Sequence, residues 1–187
     1  AARAAGFAPI KLNCVVQRGV NDAGIEDLAE FARDGGHVLR FIEYMDVGTC
    51  NGWSRERVLL SAGVRDRLAA RWPLRALDPT YRGEVAERYA YADGGGEVGF
   101  VSSVSAPFCG DCHRARVSAD GRLYTCLFAG QGHDLRPALA KGEAALAERV
   151  AALWSARADR YSETRFNEAG SQAGASRRHV EMYLVGG

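Results

Sequence analysis

The sequence predicts an α/β fold on three observations: a strand, helix, strand succession over residues 9–45, a return to strand character at 97–104, and helical periodicity between and after them. Residues 9–17 alternate Ile10, Leu12, Cys14 and Val16 against Lys11, Asn13, Val15 and Gln17, the two-residue period of a strand with one face able to carry polar groups. The chain then turns, and Asn21 or Asp22 is expected to cap a helix to about Arg33, because Ile25, Leu28, Ala29 and Ala32 recur at helical spacing. Gly35 and Gly36 end it. Residues 37–45 read as a second strand, apolar on both faces as a parallel strand covered by helices would be. Beyond a loop at 46–52, Ser54 is expected to cap a helical stretch of about 55–72, interrupted near 61–63 and stopped by Pro73. Residues 78–96 are polar and rich in glycine, and an irregular excursion is expected there. AspGly at 120–121 lies between two alternating segments, a strong short-range hairpin signal. Helices are expected over 134–140 and 143–159, the second with Ala144, Leu146, Ala147, Val150, Ala151 and Trp154 on an apolar side. Residues 167–179 are polar and expected to be loose.

The bulk composition narrows the function classes. With 187 residues, 47% hydrophobic, 25% charged and a net charge of +1, the chain has the profile of a globular protein with a core. No run is apolar enough to span a bilayer and the N-terminus has no signal-peptide apolar region, so a cytoplasmic address without a membrane partner is expected. The near-zero net charge argues against a non-specific nucleic-acid binder. Of the five cysteines, three lie between 109 and 126, which favours a reducing compartment over a disulfide framework.

Those three, Cys109, Cys112 and Cys126, form Cys-x2-Cys-x13-Cys across the expected hairpin. Thiolates prefer soft centres, and three of them leave a fourth position open to three readings. Structural zinc would need a fourth ligand such as Asp111, His113 or His133. A cubane iron-sulfur cluster would take three cysteines and leave one iron without a protein ligand. In the third reading the trio are ordinary buried or redox thiols.

Arg114 and Arg116 stand two apart in an expected strand, so both guanidiniums would leave one face beside Cys112, an arrangement that suits phosphate oxygens. The alternative is a solvated face with ion pairs to Asp111 or Asp120. Lys11 and Asn13 share a strand face, and Arg40 interrupts an apolar strand, where a charge needs either a ligand or a counter-charge such as Glu43 or Asp46. Met45 follows that strand, more as packing than as a ligand contact.

The segment ProPheCysGlyAspCysHisArgAlaArgValSerAlaAspGlyArgLeuTyrThrCysLeuPheAla, with LysLeuAsnCysValValGlnArgGlyValAsnAsp at 11–22, ArgPheIleGluTyrMet at 40–45 and the terminal GlyGly, closely resembles the MoaA family of GTP 3',8-cyclases. These are radical S-adenosylmethionine enzymes of molybdenum cofactor biosynthesis, and the resemblance runs from about Lys11 to Gly187. It implies the C-terminal part of a partial (β/α) barrel over 1–60 and an auxiliary cluster-binding α+β extension over 61–187 ending in the GlyGly tail. In that family one [4Fe-4S] cluster cleaves S-adenosylmethionine, the 5'-deoxyadenosyl radical takes the ribose C3' hydrogen of GTP, and C3' attacks C8 of guanine. The resemblance makes Cys109, Cys112 and Cys126 the ligands of a second cluster whose open iron meets the guanine. It places Lys11, Arg40, Arg114 and Arg116 around GTP, Asn13 and Met45 nearer S-adenosylmethionine, and Gly186 and Gly187 as a tail entering the active site. Glycines lack a Cβ, so such an end can thread where other residues clash.

The family's first cluster uses Cys-x3-Cys-x2-Cys, whereas the remaining cysteines here are Cys14 and Cys50, for which packing is the expected role. A complete barrel of this kind needs about 250 residues. The chain is therefore expected to be the C-terminal portion of a longer enzyme that binds a cluster and GTP without cleaving S-adenosylmethionine; 5'-deoxyadenosine formed by the reconstituted chain would refute this. Its expected partners are GTP, S-adenosylmethionine, the N-terminal half of the barrel and, optionally, a second copy. The strand at 9–17 would present an edge prone to pairing, against which a freely soluble monomer would count. Two other readings stand beside this one. A peptide-modifying radical enzyme with an auxiliary cluster would have no triphosphate for Arg114 and Arg116 to grip. A zinc-stabilised binding module would have neither visible absorption nor GTP affinity.

Overall fold

The structure, a computed structural model, describes residues 1–164 and 180–184. It divides into two compact units, one of Ala1–Met45 and Trp53–Phe108, the other of Asp46–Gly52 and Cys109–Gly187. The expected division at 60/61 follows role, while the compact units part on either side of the 46–52 loop and after Phe108. No helix among the described residues is long and apolar enough to cross a membrane.

The first unit is a five-stranded mixed sheet in the order β1-β2-β5-β4-β3. Strands β1 (Lys11–Val16), β2 (Val38–Glu43) and β5 (Glu97–Val101) run parallel, and β4 (Glu87–Tyr91) and β3 (Leu74–Leu77) complete it antiparallel. Strand β1 alternates as expected, with Leu12, Cys14 and Val16 turned inward. It lies at the end of the sheet order. Helices α1 (Ile25–Asp34) and α2 (Ser61–Arg71) share one core with this sheet, where Ile25, Ala29, Ala32, Val64 and Leu68 meet Val16, Leu39, Phe41, Val98 and Phe100. Each valine, leucine, isoleucine or phenylalanine among them removed from water is worth roughly 1.5–3 kcal/mol, and each alanine less.

Several local expectations are corrected here. Neither Asn21 nor Asp22 caps α1: Asn21 accepts from the Gln17 N–H and donates to the Val15 carbonyl, and Asp22 accepts from the Gly19 N–H, so both close the turn after β1. The end of α1 is as expected, with Gly36 at φ +62° and the N–H groups of Gly36 and His37 donating to Arg33 and Ala32 carbonyls. The stretch at 55–72 is not one interrupted helix. Arg55–Arg57 make a single 3-10 turn, Ser54 caps nothing, and α2 begins at Ser61 because the carboxylate of Glu43 accepts the Ser61 N–H at 2.8 Å. The excursion at 78–96 contains β4, whose pairing with β5 supplies order that its polar composition hides. Strand β2 carries apolar residues on both faces as expected, Leu39 and Phe41 on one and Val38 and Ile42 on the other, but only the first face is fully covered, since Val38, Arg40 and Ile42 remain half-open.

In the second unit β6 (Arg116–Val117), β7 (Arg122–Tyr124) and β8 (His133–Asp134) form a small antiparallel sheet. The hairpin at AspGly forms as expected, but over the four-residue loop Ser118–Gly121 closed by the Ser118 N–H to the Arg122 carbonyl. Helices α3 (Arg136–Leu139), α4 (Glu143–Ser155) and α5 (Tyr161–Thr164) follow. Helix α4 buries no residue, and Ala144, Ala147 and Ala151 of its expected apolar side are exposed. The segment 167–179, Gly186 and Gly187 lie outside the described residues.

Candidate metal centre

Cys109, Cys112 and Cys126 all lie in the second unit, each half-buried. Cys109–Asp111 form a 3-10 turn that Cys112 closes by donating its N–H to the Cys109 carbonyl at 3.3 Å. Cys126 lies just past β7, its Sγ accepting the Phe128 N–H at 3.4 Å. The thiols sense one another: burial is the main force raising Cys126, and Asp159, Cys109 and Cys112 add repulsion to it. Cys112 behaves oppositely. Burial works to raise it, yet the Arg114 N–H, the Arg114 guanidinium at 3.0 Å from Sγ and the charge of Arg157 hold it below the ordinary thiol value.

Among the described residues no three His, Cys, Asp or Glu side chains are disposed to hold a metal ion. A structural zinc requires four ligands converging on one ion at about 2.0–2.3 Å. A cubane instead takes each thiolate on a different iron, so its ligands stand wider apart. The donor set here is three partly buried sulfurs, one of them bonded by a guanidinium. Beside Cys126 lies a cavity of about 640 Å³ lined also by Phe128, Gly130, Asp159, Arg160 and Tyr161. Tyr161 stacks on Phe128 at 4.6 Å between ring centres and donates its hydroxyl to Asp46 at 2.6 Å.

Of the expected phosphate-binding pair, Arg116 is in β6 opposite Tyr124, but Arg114 precedes the strand and points its guanidinium at Cys112. The idea of one strand presenting both from one face is therefore corrected. Asp120, an expected counter-charge for them, instead accepts from Ser118 and pairs with Arg122 at 3.1 Å. Arg116 makes no ion pair among the described residues.

Lys11, Asn13 and Arg40 come together in the first unit. Asn13 and Arg40 are register partners across β1 and β2, and all three leave the face of the sheet opposite α1 and α2. Arg40 also lies beside Gly99 in register, where an added Cβ would stand 3.3 Å from Arg40 Cγ. Glycine keeps that lane open for the arginine stem. The counter-charge of Arg40 is neither Glu43 nor Asp46 but Glu84, 3.9 Å away and almost wholly buried. Burial tends to raise the Glu84 carboxyl, but bonds from Thr80 and the charges of Arg88 and Arg40 hold it below the usual carboxylate range. Met45, half-buried, sits two residues beyond β2 in the same unit.

Sequence reasoning missed Glu84, the core role of Glu43, and Arg157. Glu43, 2% exposed, accepts from the N–H groups of Ser61, Val104 and Ser105 at 2.7–2.8 Å and from the Ser105 hydroxyl at 2.6 Å, which explains an acid deep in the core. Arg157 donates to the carbonyls of both Cys109 and Cys112. The only signal for Arg157 was the ArgAlaAspArg run past the last long helix.

A family model described as Molybdenum Cofactor Synthesis C matches residues 37–163. The chain is 63% identical over its whole length to a GTP 3',8-cyclase of Xanthomonas campestris pv. campestris, of which it covers 54%. It is 48% identical to the GTP 3',8-cyclase of Acidothermus cellulolyticus, covering 58%, and 49% identical to that of a Synechococcus strain, covering 53%. The chain thus spans about half the length of the curated relatives it matches. A match that runs from β2 into α5, the thiol-bearing turn and the hairpin included, places it by its own residues: the chain belongs to the Molybdenum Cofactor Synthesis C family.

Proposed function

We propose that this chain is the cluster- and nucleotide-binding part of a GTP 3',8-cyclase, the radical S-adenosylmethionine enzyme that converts GTP to (8S)-3',8-cyclo-7,8-dihydroguanosine 5'-triphosphate. The observation that carries this reading is the guanidinium of Arg114 bonded to a half-buried Cys112 within a three-cysteine set, in a chain 63% identical to a protein of that name. Cys109, Cys112 and Cys126 would hold a [4Fe-4S] cluster, which supplies one iron without a protein ligand as a Lewis-acidic position for the guanine. Arg114 both stabilises the thiolate of Cys112 and, with Arg116, supplies forked donors for phosphate oxygens. Lys11 and Arg40 add positive charge for the triphosphate, with Glu84 holding the Arg40 side chain in place. Asn13 and Met45 belong to the S-adenosylmethionine side, and Gly186 and Gly187 to the tail that reaches the reacting groups. The (β/α) barrel part is proposed for residues 1–60 and the auxiliary region for 61–187. The chain carries no Cys-x3-Cys-x2-Cys, so S-adenosylmethionine cleavage is assigned to sequence outside it.

The test is GTP binding by the anaerobically reconstituted chain. Wild type is expected to hold about four irons per chain and to bind GTP, and Arg116→Ala to bind about 10–100-fold more weakly, the loss of a charge-assisted hydrogen bond. Zinc in place of iron, or GTP affinity indifferent to Arg114 and Arg116, would sink the reading.

A further inference from the structure

The segment after α4 reaches the cysteine set at several points. Arg157, its side chain 11% exposed and its guanidinium 4.9 Å from the Trp154 ring centre, donates Nη1 to the Cys112 carbonyl and Nη2, at 3.4 Å, to the Cys109 carbonyl. Its Nε stands 3.3 Å from Asp159 Oδ2, an ion pair outside hydrogen-bond alignment. The same Asp159 oxygen accepts the hydroxyl of Thr125 at 2.7 Å, and Thr125 directly precedes Cys126. Farther along, Glu163 accepts the Gly110 N–H between the paired cysteines at 3.3 Å.

One arginine and one aspartate therefore connect the two parts of the sulfur set: Arg157 grips the loop carrying Cys109 and Cys112, and Asp159 grips the residue carrying Cys126 into place. We propose that Arg157 and Asp159 are positioning residues that fix the separation of the three thiols before a cluster arrives and tune its potential once it is bound. This rests on the cluster reading above. Outer-shell groups act by orienting ligands and by adding charge near the metal, and the two contributions are separable here because the partners have opposite signs. Losing either breaks the same link. Losing Arg157 also removes a cation, which disfavours the reduced and more negative cluster, while losing the charge of Asp159 favours it.

The experiment uses the 187-residue chain, reconstituted anaerobically with iron and sulfide, as wild type, Arg157→Gln, Asp159→Asn, Thr125→Val and the α4 surface control Arg149→Gln. Cluster loss to a chelator is followed by visible absorbance and the midpoint potential by redox titration. Arg157→Gln and Asp159→Asn are expected to lose the cluster about 10–100-fold faster, the usual cost of an outer-shell change. Their potentials should move in opposite directions, Arg157→Gln downward and Asp159→Asn upward. The control should match wild type. Thr125→Val removes a single hydrogen bond at nearly constant shape, for an acceleration of about 2–10-fold, and decides the matter if circular dichroism shows that Arg157→Gln does not fold. Release within about twofold of wild type in all three variants, or potentials that move together, would overturn the clamp. Failure of wild type itself to take up iron would overturn the cluster reading, and the clamp with it.

Discussion

In the first unit Val16, Leu39, Phe41, Val98 and Phe100 meet Ile25, Ala29, Val64 and Leu68 in one continuous apolar core, whereas among the described residues the comparable cluster of the second is Tyr124 and Val180 with Ala129 beside them. The strands differ in the same sense: β1 to β5 run four to six residues, β6 to β8 only two or three. What the second unit has instead is a set of polar ties, Arg157 to two carbonyls, Asp159 to Thr125, Glu181 to the N–H and hydroxyl of Thr49, and Tyr161 to Asp46. Small folds without a sufficient core commonly depend on a metal for stability. The contrast teaches that one unit is held by packing and the other, among the described residues, more by polar ties, which makes its dependence on the proposed cluster the point to test.

The sharpest way to break that contrast is iron removal. Stripping the reconstituted chain with a chelator is expected to lower the melting temperature of the second unit by on the order of 10 °C or abolish its transition, because binding energy there is folding energy. The first unit should melt unchanged. A single transition indifferent to iron, seen by calorimetry, would remove the distinction. Phe100→Ala tests the other side and should cost the first unit about 3–5 kcal/mol in urea unfolding, with iron retention in the second untouched. Glu43→Ala should cost about 3 kcal/mol, since buried donors on Ser61, Val104 and Ser105 lose a charged acceptor. Glu43→Gln, keeping one acceptor oxygen, should fall between it and wild type.

The smallest effect lies at the half-exposed pair joining α1 and α2, where Arg67 meets Glu26 through two bonds of 2.8 and 2.6 Å. Arg67→Ala is expected to cost about 0.5 kcal/mol, and less in high salt. The Arg67 hydrogen bond holds the Glu26 carboxyl below its ordinary value of 4.5. The stabilisation is therefore complete above that value, where the unfolded carboxyl is also ionised, and is lost as pH falls through the lower folded value. An acid titration of unfolding free energy should show this slope in wild type and not in Arg67→Ala.

How much of this could be read from residues alone depended on whether the cause was local. The β1-α1-β2 succession was legible because alternation over 9–17 and helical spacing at Ile25, Ala29 and Ala32 report burial directly. The start of α2 was not, because its first N–H is satisfied by Glu43, far back along the chain, rather than by Ser54 nearby. Strand β4 was hidden for a related reason: GluArgTyrAlaTyr gains its order from β3 and β5 on either side. At the candidate centre the cysteine spacing was plain, while Glu84 behind Arg40 and Arg157 behind Cys109 and Cys112 were not, each pairing depending on folding over more than forty residues.

The 46–52 loop, which groups with Cys109–Gly187 although both flanks group with the sheet, has a consequence for modularity. The chain crosses between units after Met45, after Gly52 and after Phe108, so no single proteolytic nick or gene-fusion junction releases the second unit whole. A fragment excised from Cys109 onward would leave Asp46 and Thr49 behind, and with them the partners of Tyr161 and Glu181. Recombination is thus constrained to inherit the two units together.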